Sequence, residues 1–255
     1  MSTTSPIHAD LIKRKNPYAV ARHTSPYPAD ILAGLWLISL GIYFIFVGRR
    51  FSRTLATISG YALVGGLVLF IEYNAQAPRI PETALQVGYV VSGIAIGAIG
   101  GVAGFYFNEF GHLITGVLGG FALGTWVLAF RDRGLIQSET GRIVFLIVCM
   151  ACSALCVCHF DVPGTVAFAS IFGAYALMIG IDCFARTGYV SSATSFFLFP
   201  GSSFRVTSET FAMQGGVVAA VVVGCVVQTI LLRRQTRKAM HMDEQMLKRK
   251  LRIRP

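Results

Sequence analysis

Seven stretches of apolar sequence dominate the chain and fix its fold class, because each is close to the ~20 residues that cross a ~30 Å hydrocarbon core as a helix. They run Ile31–Val47, Leu55–Tyr73, Leu85–Phe107, Leu113–Phe130, Ile143–Phe160, Gly164–Ile181 and Phe211–Leu232. The chain therefore reads as all-α, a polytopic membrane protein of seven transmembrane helices. Composition agrees: 54% of its 255 residues are hydrophobic and 13% are charged, against the roughly 25% charged residues of a soluble domain.

The breaks between runs combine charge with helix breakers, as in Gly48-Arg49-Arg50, Ala77-Pro78-Arg79-Ile80-Pro81, Arg131-Asp132-Arg133-Gly134 and Asp161-Val162-Pro163-Gly164. Most are too short to fold separately. The expected organisation is a polar, mobile tail over residues 1–30, one seven-helix domain over 31–232 and a basic tail over 233–255. Residues 1–30 lack the apolar core of a cleavable signal peptide. The longest connection, residues 185–210, sets Phe196, Phe197 and Phe199 in a Ser/Thr-rich loop, an arrangement expected to touch the membrane interface, with a re-entrant lid over a cavity as the other reading.

Charge is segregated along the chain. The formal +10 comes mainly from Arg49, Arg50, Arg53 and the C-terminal tail, and no Lys or Arg lies between Arg142 and Arg186. Basic residues beside hydrophobic spans are what anionic headgroups and the positive-inside rule select. A nucleic-acid partner would instead need a basic face on a soluble fold. The tail carries nine Lys or Arg against Asp243 and Glu244, which predicts a cytoplasmic C-terminus. Seven crossings then place the N-terminus outside, although Lys13, Arg14, Lys15 and Arg22 oppose that orientation. Arg49, Arg50, Arg53, Arg233, Arg234, Arg237 and Lys238 are expected to face lipid headgroups.

Small residues recur at helical spacing. Gly93, Gly97 and Gly101 line one face of the third span, Gly116, Gly120 and Gly124 one face of the fourth, and Gly216, Ala220 and Gly224 repeat the pattern in the seventh. Such zipper faces let backbones approach within a membrane. They predict a tight hairpin of spans three and four; a smooth wall flanking a conduction path is the other reading.

Four polar residues are candidates for an intramembrane site: Asn108, Glu109, Glu72 and Asp182. A third span of 23 residues already crosses the membrane, so Asn108 and Glu109 should form a turn at the far interface, on the same side as His159 and Asp161. Glu72 and Asp182 should end their spans on the opposite side. Asp182 follows the small-residue pattern Ala176-x-x-x-Gly180, which favours a carboxylate held against a neighbouring helix, and intramembrane carboxylates mark functional paths when buried.

Phosphate-cradling, zinc-helix and nucleophile-elbow motifs are all missing from the sequence, so no enzyme, cofactor or metal is expected. Cys149-x-x-Cys152 has no second pair or His at ligand spacing. The six cysteines read as small packing residues, with Cys158 and Cys183 near membrane edges as acylation candidates.

Three blocks, GIYFIFVGRRFSRTLATISGYALVGGLVLF, GAIGGVAGFYFNEFGHLITGVLGGFALG and DVPGTVAFASIFGAYALMIGIDCF, together resemble the domain shared by transmembrane protein 198 and seven-transmembrane superfamily member 3. The similarity spans roughly residues 30 to 232. It implies a seven-helix membrane domain with its N-terminus outside and its C-terminus in the cytoplasm, and, by analogy with animal relatives, a scaffold role in Wnt receptor signalling.

Two functions follow as expectations. One is a non-enzymatic multi-pass protein acting through helix packing, on membrane lipids, membrane-protein partners or further copies of itself. The alternative is a small ion or solute channel or transporter, with Asp182 and glycine-lined helices forming the path.

Overall fold

The computed structural model describes residues 28–76, 83–131, 135–136, 138–190 and 206–253. The expected mobile tail up to residue 27, the breaker residues 77–82 and 132–134, and the aromatic loop residues 191–205 lie outside the described residues. Within them the chain forms seven helices: α1 (Pro28–Phe46), α2 (Ser52–Gln76), α3 (Thr83–Tyr106), α4 (Asn108–Leu128), α5 (Glu139–His159), α6 (Asp161–Ala185) and α7 (Ser208–Ile253). Each carries one stretch long and apolar enough to cross a membrane.

Several boundaries differ from the expected ones: Asn108 and Glu109, expected to form a turn, begin α4 and leave Phe107 alone as the break, and two further differences have physical reasons. Asp161-Val162-Pro163-Gly164 is the first turn of α6 rather than a loop; a proline there forfeits only an N–H that has no intrahelical partner anyway. At the other end of the chain, α7 does not stop at Leu232 but runs 46 residues to Ile253, a length of about 69 Å. Nothing between Leu232 and Lys250 breaks a helix, since this segment contains neither Gly nor Pro.

A corner recurs three times on one face of the bundle. Phe51 precedes α2, while Phe107 and Phe160 are the single residues separating α3 from α4 and α5 from α6. All three have similar extended backbones, φ/ψ −119/85, −108/68 and −116/66. Each is followed by a residue that favours helix starts, Ser52, Asn108 or Asp161. The Phe carbonyls accept the N–H groups of Leu55, Gly111 and Gly164 at 2.8, 3.1 and 2.7 Å. The rings are exposed at the ends of apolar spans, positions where aromatic side chains are enriched.

α6 and α4 form the centre. α6 packs against α1, α4, α5 and α7, and α4 also contacts α2. One apolar cluster joins Leu40, Phe44, Leu55, Ala62, Leu118 and Ala169; a second joins Ile45, Ala122, Ala174, Tyr175, Tyr189 and Val217. Many large apolar side chains, among them Ile71, Ile99 and Leu155, point outward, as they must where the solvent is hydrocarbon.

The predicted hairpin of spans three and four is not formed. α3 packs on α2 and α4 packs on α5, while α3 and α4 touch only slightly. The reason lies in the partners: α2 presents Gly60 and Gly65, so backbone meets backbone. A Cβ on Gly65 would stand 2.9 Å from the Gly93 carbonyl oxygen and one on Gly93 3.2 Å from that of Gly65, while Gly60 and Gly100 approach one another more closely still. α1 and α6 meet in the same way. A Cβ on Gly41 would come within 2.7 Å of Gly173 O and one on Gly180 within 2.9 Å of Gly34 O. The fourth-span glycines face α5, where a Cβ on Gly116 would lie 3.0 Å from Ala154 Cα and one on Gly124 2.8 Å from Leu146 Cδ2. Gly216 and Gly224 lie against Met178 and Ser170 of α6.

Candidate functional site

The polar candidates divide between the two faces of the bundle and are not brought together. Glu109 occupies the first turn of α4 beside the Phe107 corner and is exposed, where a carboxylate suits the positive end of the helix dipole. Asn108 opens the same helix. Glu72 ends α2 on the opposite face and Asp182 ends α6 there, but α2 and α6 are not packing partners.

Asp182 is 2% exposed, and its surroundings define a cap. Its Oδ1 accepts the Thr187 N–H at 2.7 Å and the Thr187 hydroxyl at 2.5 Å, and its Oδ2 accepts the Val190 N–H at 2.6 Å. The chain can fold back to supply these donors because Arg186 adopts the left-handed conformation at φ 55, ψ 38, its N–H donating to the Asp182 carbonyl at 2.7 Å. The Arg186 guanidinium then reaches Asp30 at the start of α1, 3.7 Å away. Inside this turn Tyr189 is fully buried, its ring 6.1 Å from that of Tyr175. Burial pushes the Tyr189 phenol well above its ordinary range, with Tyr175 and Asp182 adding to the effect. Both oxygens of the carboxylate are thus engaged in fixing the exit of α6.

Glu72 performs a smaller task of the same kind. Its Oε1 accepts the Ser92 hydroxyl of α3 at 2.6 Å, so it ties the open end of the α2–α3 pair. Its Oε2 has no partner among the described residues.

On the corner face, four buried polar residues, His112, Ser59, Thr115 and Gln228, join neighbouring helices, and of these only His112 stands out in the sequence, beside Asn108 and Glu109. His112 is 8% exposed and shares a hydrogen bond of 2.7 Å with the Ser52 hydroxyl. One turn deeper, Ser59 and Thr115 share one of 2.6 Å. The pairs form a polar ladder between α2 and α4, legible as Ser at i and i+7 opposite His and Thr at i and i+3. Gln228 of α7, 2% exposed, donates from Nε2 to the Phe44 and Ile45 carbonyls at 2.8 and 3.2 Å and lies 3.1 Å from Ser170 Oγ. It satisfies carbonyls that the end of α1 leaves orphaned. Its Oε1 occupies the space where Gly48 has no side chain, at a backbone φ of +30 that also favours glycine.

The basic residues lie on this face as well. Arg50 stacks on the Phe51 ring at 5.3 Å. Arg53, Arg233, Arg234, Arg237 and Lys238 are exposed, and the Arg49 side chain lies outside the described residues. All six cysteines are free; Cys152, Cys156 and Cys158 are exposed along α5 and the other three are half-buried.

What these contacts define is an integral multi-pass membrane protein, a seven-helix bundle whose buried polar groups fasten helix ends and neighbouring spans together. Residues 34–229 match the TM7S3/TM198-like domain, and the chain belongs to that family. No curated protein and no solved structure matches it. The family match begins within α1 and ends just after Gln228, so it takes in the interhelical contacts described above except that of Arg186 with Asp30, and it stops before Arg233.

Proposed function

We propose that this protein is a non-enzymatic membrane scaffold, in which the bundle anchors α7 and the basic end of α7 engages lipids and protein partners at the membrane surface. The observation that carries this reading is the continuity of α7. Its inner half is fixed by Gln228 and by close contact of Gly224 with Ser170, while Arg233, Arg234, Arg237 and Lys238 beyond it stand exposed. A rigid rod leaving the membrane places a partner at a set distance from the bundle, which a flexible tail would not.

The positive-inside rule puts this end in the cytoplasm, together with the three phenylalanine corners. Transport through Asp182 is the weaker reading, because its carboxylate already accepts three hydrogen bonds from the following turn. The test is proximity labelling of the full chain in cells beside a form lacking residues 241–255, which leaves the bundle and α7 as far as Met240 in place. The scaffold reading expects the cytoplasmic neighbours to be lost with the bundle still inserted. An unchanged set of neighbours would remove it.

A further inference from the structure

A groove of about 680 Å³ opens between the start of α6 and the middle of α7 on the corner face. Its floor is apolar, made by Val166 and Ala167 of α6 and Cys225 and Leu232 of α7, and its outer end is rimmed by Arg233 and Arg237. The two arginines are four residues apart, so both guanidinium groups lie over the same stripe of the helix. Neither has an acidic or hydrogen-bonding partner among the described residues. Thr229 and Thr236, which also line the groove, donate their hydroxyls to the Cys225 and Leu232 carbonyls of their own helix at 2.7 and 3.2 Å. Recognition of an anion therefore falls to the arginines. The nearby start of α6 adds the positive end of a 25-residue helix, which the exposed Asp161 in its first turn partly offsets.

A groove that is apolar at the depth of the acyl chains and cationic at the depth of the headgroups matches one kind of occupant. We propose that it binds an anionic glycerophospholipid, one acyl chain lying over Val166 and Ala167 and the phosphate held between Arg233 and Arg237. Guanidinium groups suit this task because they meet phosphate oxygens through paired N–H donors. The surrounding bilayer supplies the ligand, and the orphan positive charge selects the anionic species from it. This names the lipid partner in the scaffold reading above and rests on it only for placing Arg233 at the membrane surface.

The test is native mass spectrometry of the full-length protein in detergent, titrated with phosphatidic acid or phosphatidylcholine, since a micelle presents no anionic surface to attract the tail in general. Phosphatidic acid should bind in preference to phosphatidylcholine, and glycerol phosphate, which has no chains, should not displace it. Arg233→Gln with Arg237→Gln should weaken binding about thirtyfold, from the contribution expected of two basic residues at an anionic headgroup. Ala167→Trp should weaken it with no change in charge, by filling the floor. Arg234→Gln with Lys238→Gln removes the same charge outside the groove and should weaken binding far less. Equal losses from the two charge pairs with Ala167→Trp silent, or no preference for the anionic lipid in the wild type, would overturn the site. Thermal unfolding of each variant keeps loss of fold apart from loss of binding. The proximity experiment with residues 241–255 removed leaves every residue that lines the groove in place and bears on the scaffold reading alone.

Discussion

Asp182 shows how far one residue can be read from sequence. Its position at the end of an apolar span was legible, and Ala176-x-x-x-Gly180 before it favours a close neighbour without showing that the carboxylate is buried. Its role was not, because the donors that engage it lie five and eight residues on, at Thr187 and Val190, and nothing in the spacing shows that Arg186 turns left-handed. A buried carboxylate deprived of a cap differs in consequence from one deprived of a substrate. Asp182→Ala leaves the Thr187 and Val190 N–H groups without acceptors, at a cost of about 1–3 kcal/mol for each group that stays buried. The expected outcome is a lowered unfolding temperature of the detergent-solubilised protein and faster amide exchange at 186–190. Wild-type stability would mean that the turn is held by something else. The glycines allow a sharper comparison. Gly100 faces the Gly60 carbonyl and Val64, whereas Gly66 faces open space. Gly100→Ala should destabilise the α2–α3 pair, while Gly66→Ala should be neutral or stabilising by up to about 1 kcal/mol from helix propensity. Equal unfolding temperatures for the two variants would show that the seam has room to give.

The helices themselves were legible because a hydrocarbon core fixes their length, and this constraint acts on each span without reference to the others. Pairing was a different matter. The stripe Gly93, Gly97, Gly101 identifies a face that something approaches, yet it does not identify the partner. The matching surface is the Gly60 and Gly65 stripe on α2, and its spacing of five is easily passed over. Corner geometry escaped for a related reason: a lone Phe between two apolar helices carries no Gly or Pro signal, and Pro163 reads as a loop residue until its place in a first helical turn is seen. Gln228 tests the packing of elements directly. Replacing it with Leu retains bulk but strands the Phe44 and Ile45 carbonyls that its amide now satisfies. A loss of about 1–3 kcal/mol is expected, with increased amide exchange at the α1 end and in the Gly48–Arg50 turn. A silent Gln228→Leu would imply that the end of α1 finds other donors, and that α7 is held by its apolar contacts alone.

At the scale of the whole molecule, parity of crossings places Phe51, Phe107, Phe160 and Arg233 on one face and Glu72 and Asp182 on the other. The contacts agree with that division, since His112 reaches Ser52 beside the first corner and Gln228 reaches the end of α1 next to it, while Arg186 reaches Asp30 across the opposite face. The order in which helices surround α6 was not legible, because it depends on surfaces that only the assembled bundle brings together. The division itself is open to chemistry. In a cysteine-free background, Arg53→Cys, Glu109→Cys and Ser138→Cys each put one thiol at a connection outside the apolar spans. A membrane-impermeant maleimide applied to intact cells should label Ser138→Cys, and it should reach Arg53→Cys and Glu109→Cys only after permeabilisation. Labelling of Glu109→Cys and Ser138→Cys from the same side would break the crossing of α4, and with it the seven-span arrangement. The mirror-image result, with Arg53→Cys and Glu109→Cys exposed on intact cells, would keep the bundle and invert it. The basic end of α7 and its lipid groove would then face outward, where the scaffold reading has no cytoplasmic partner to engage.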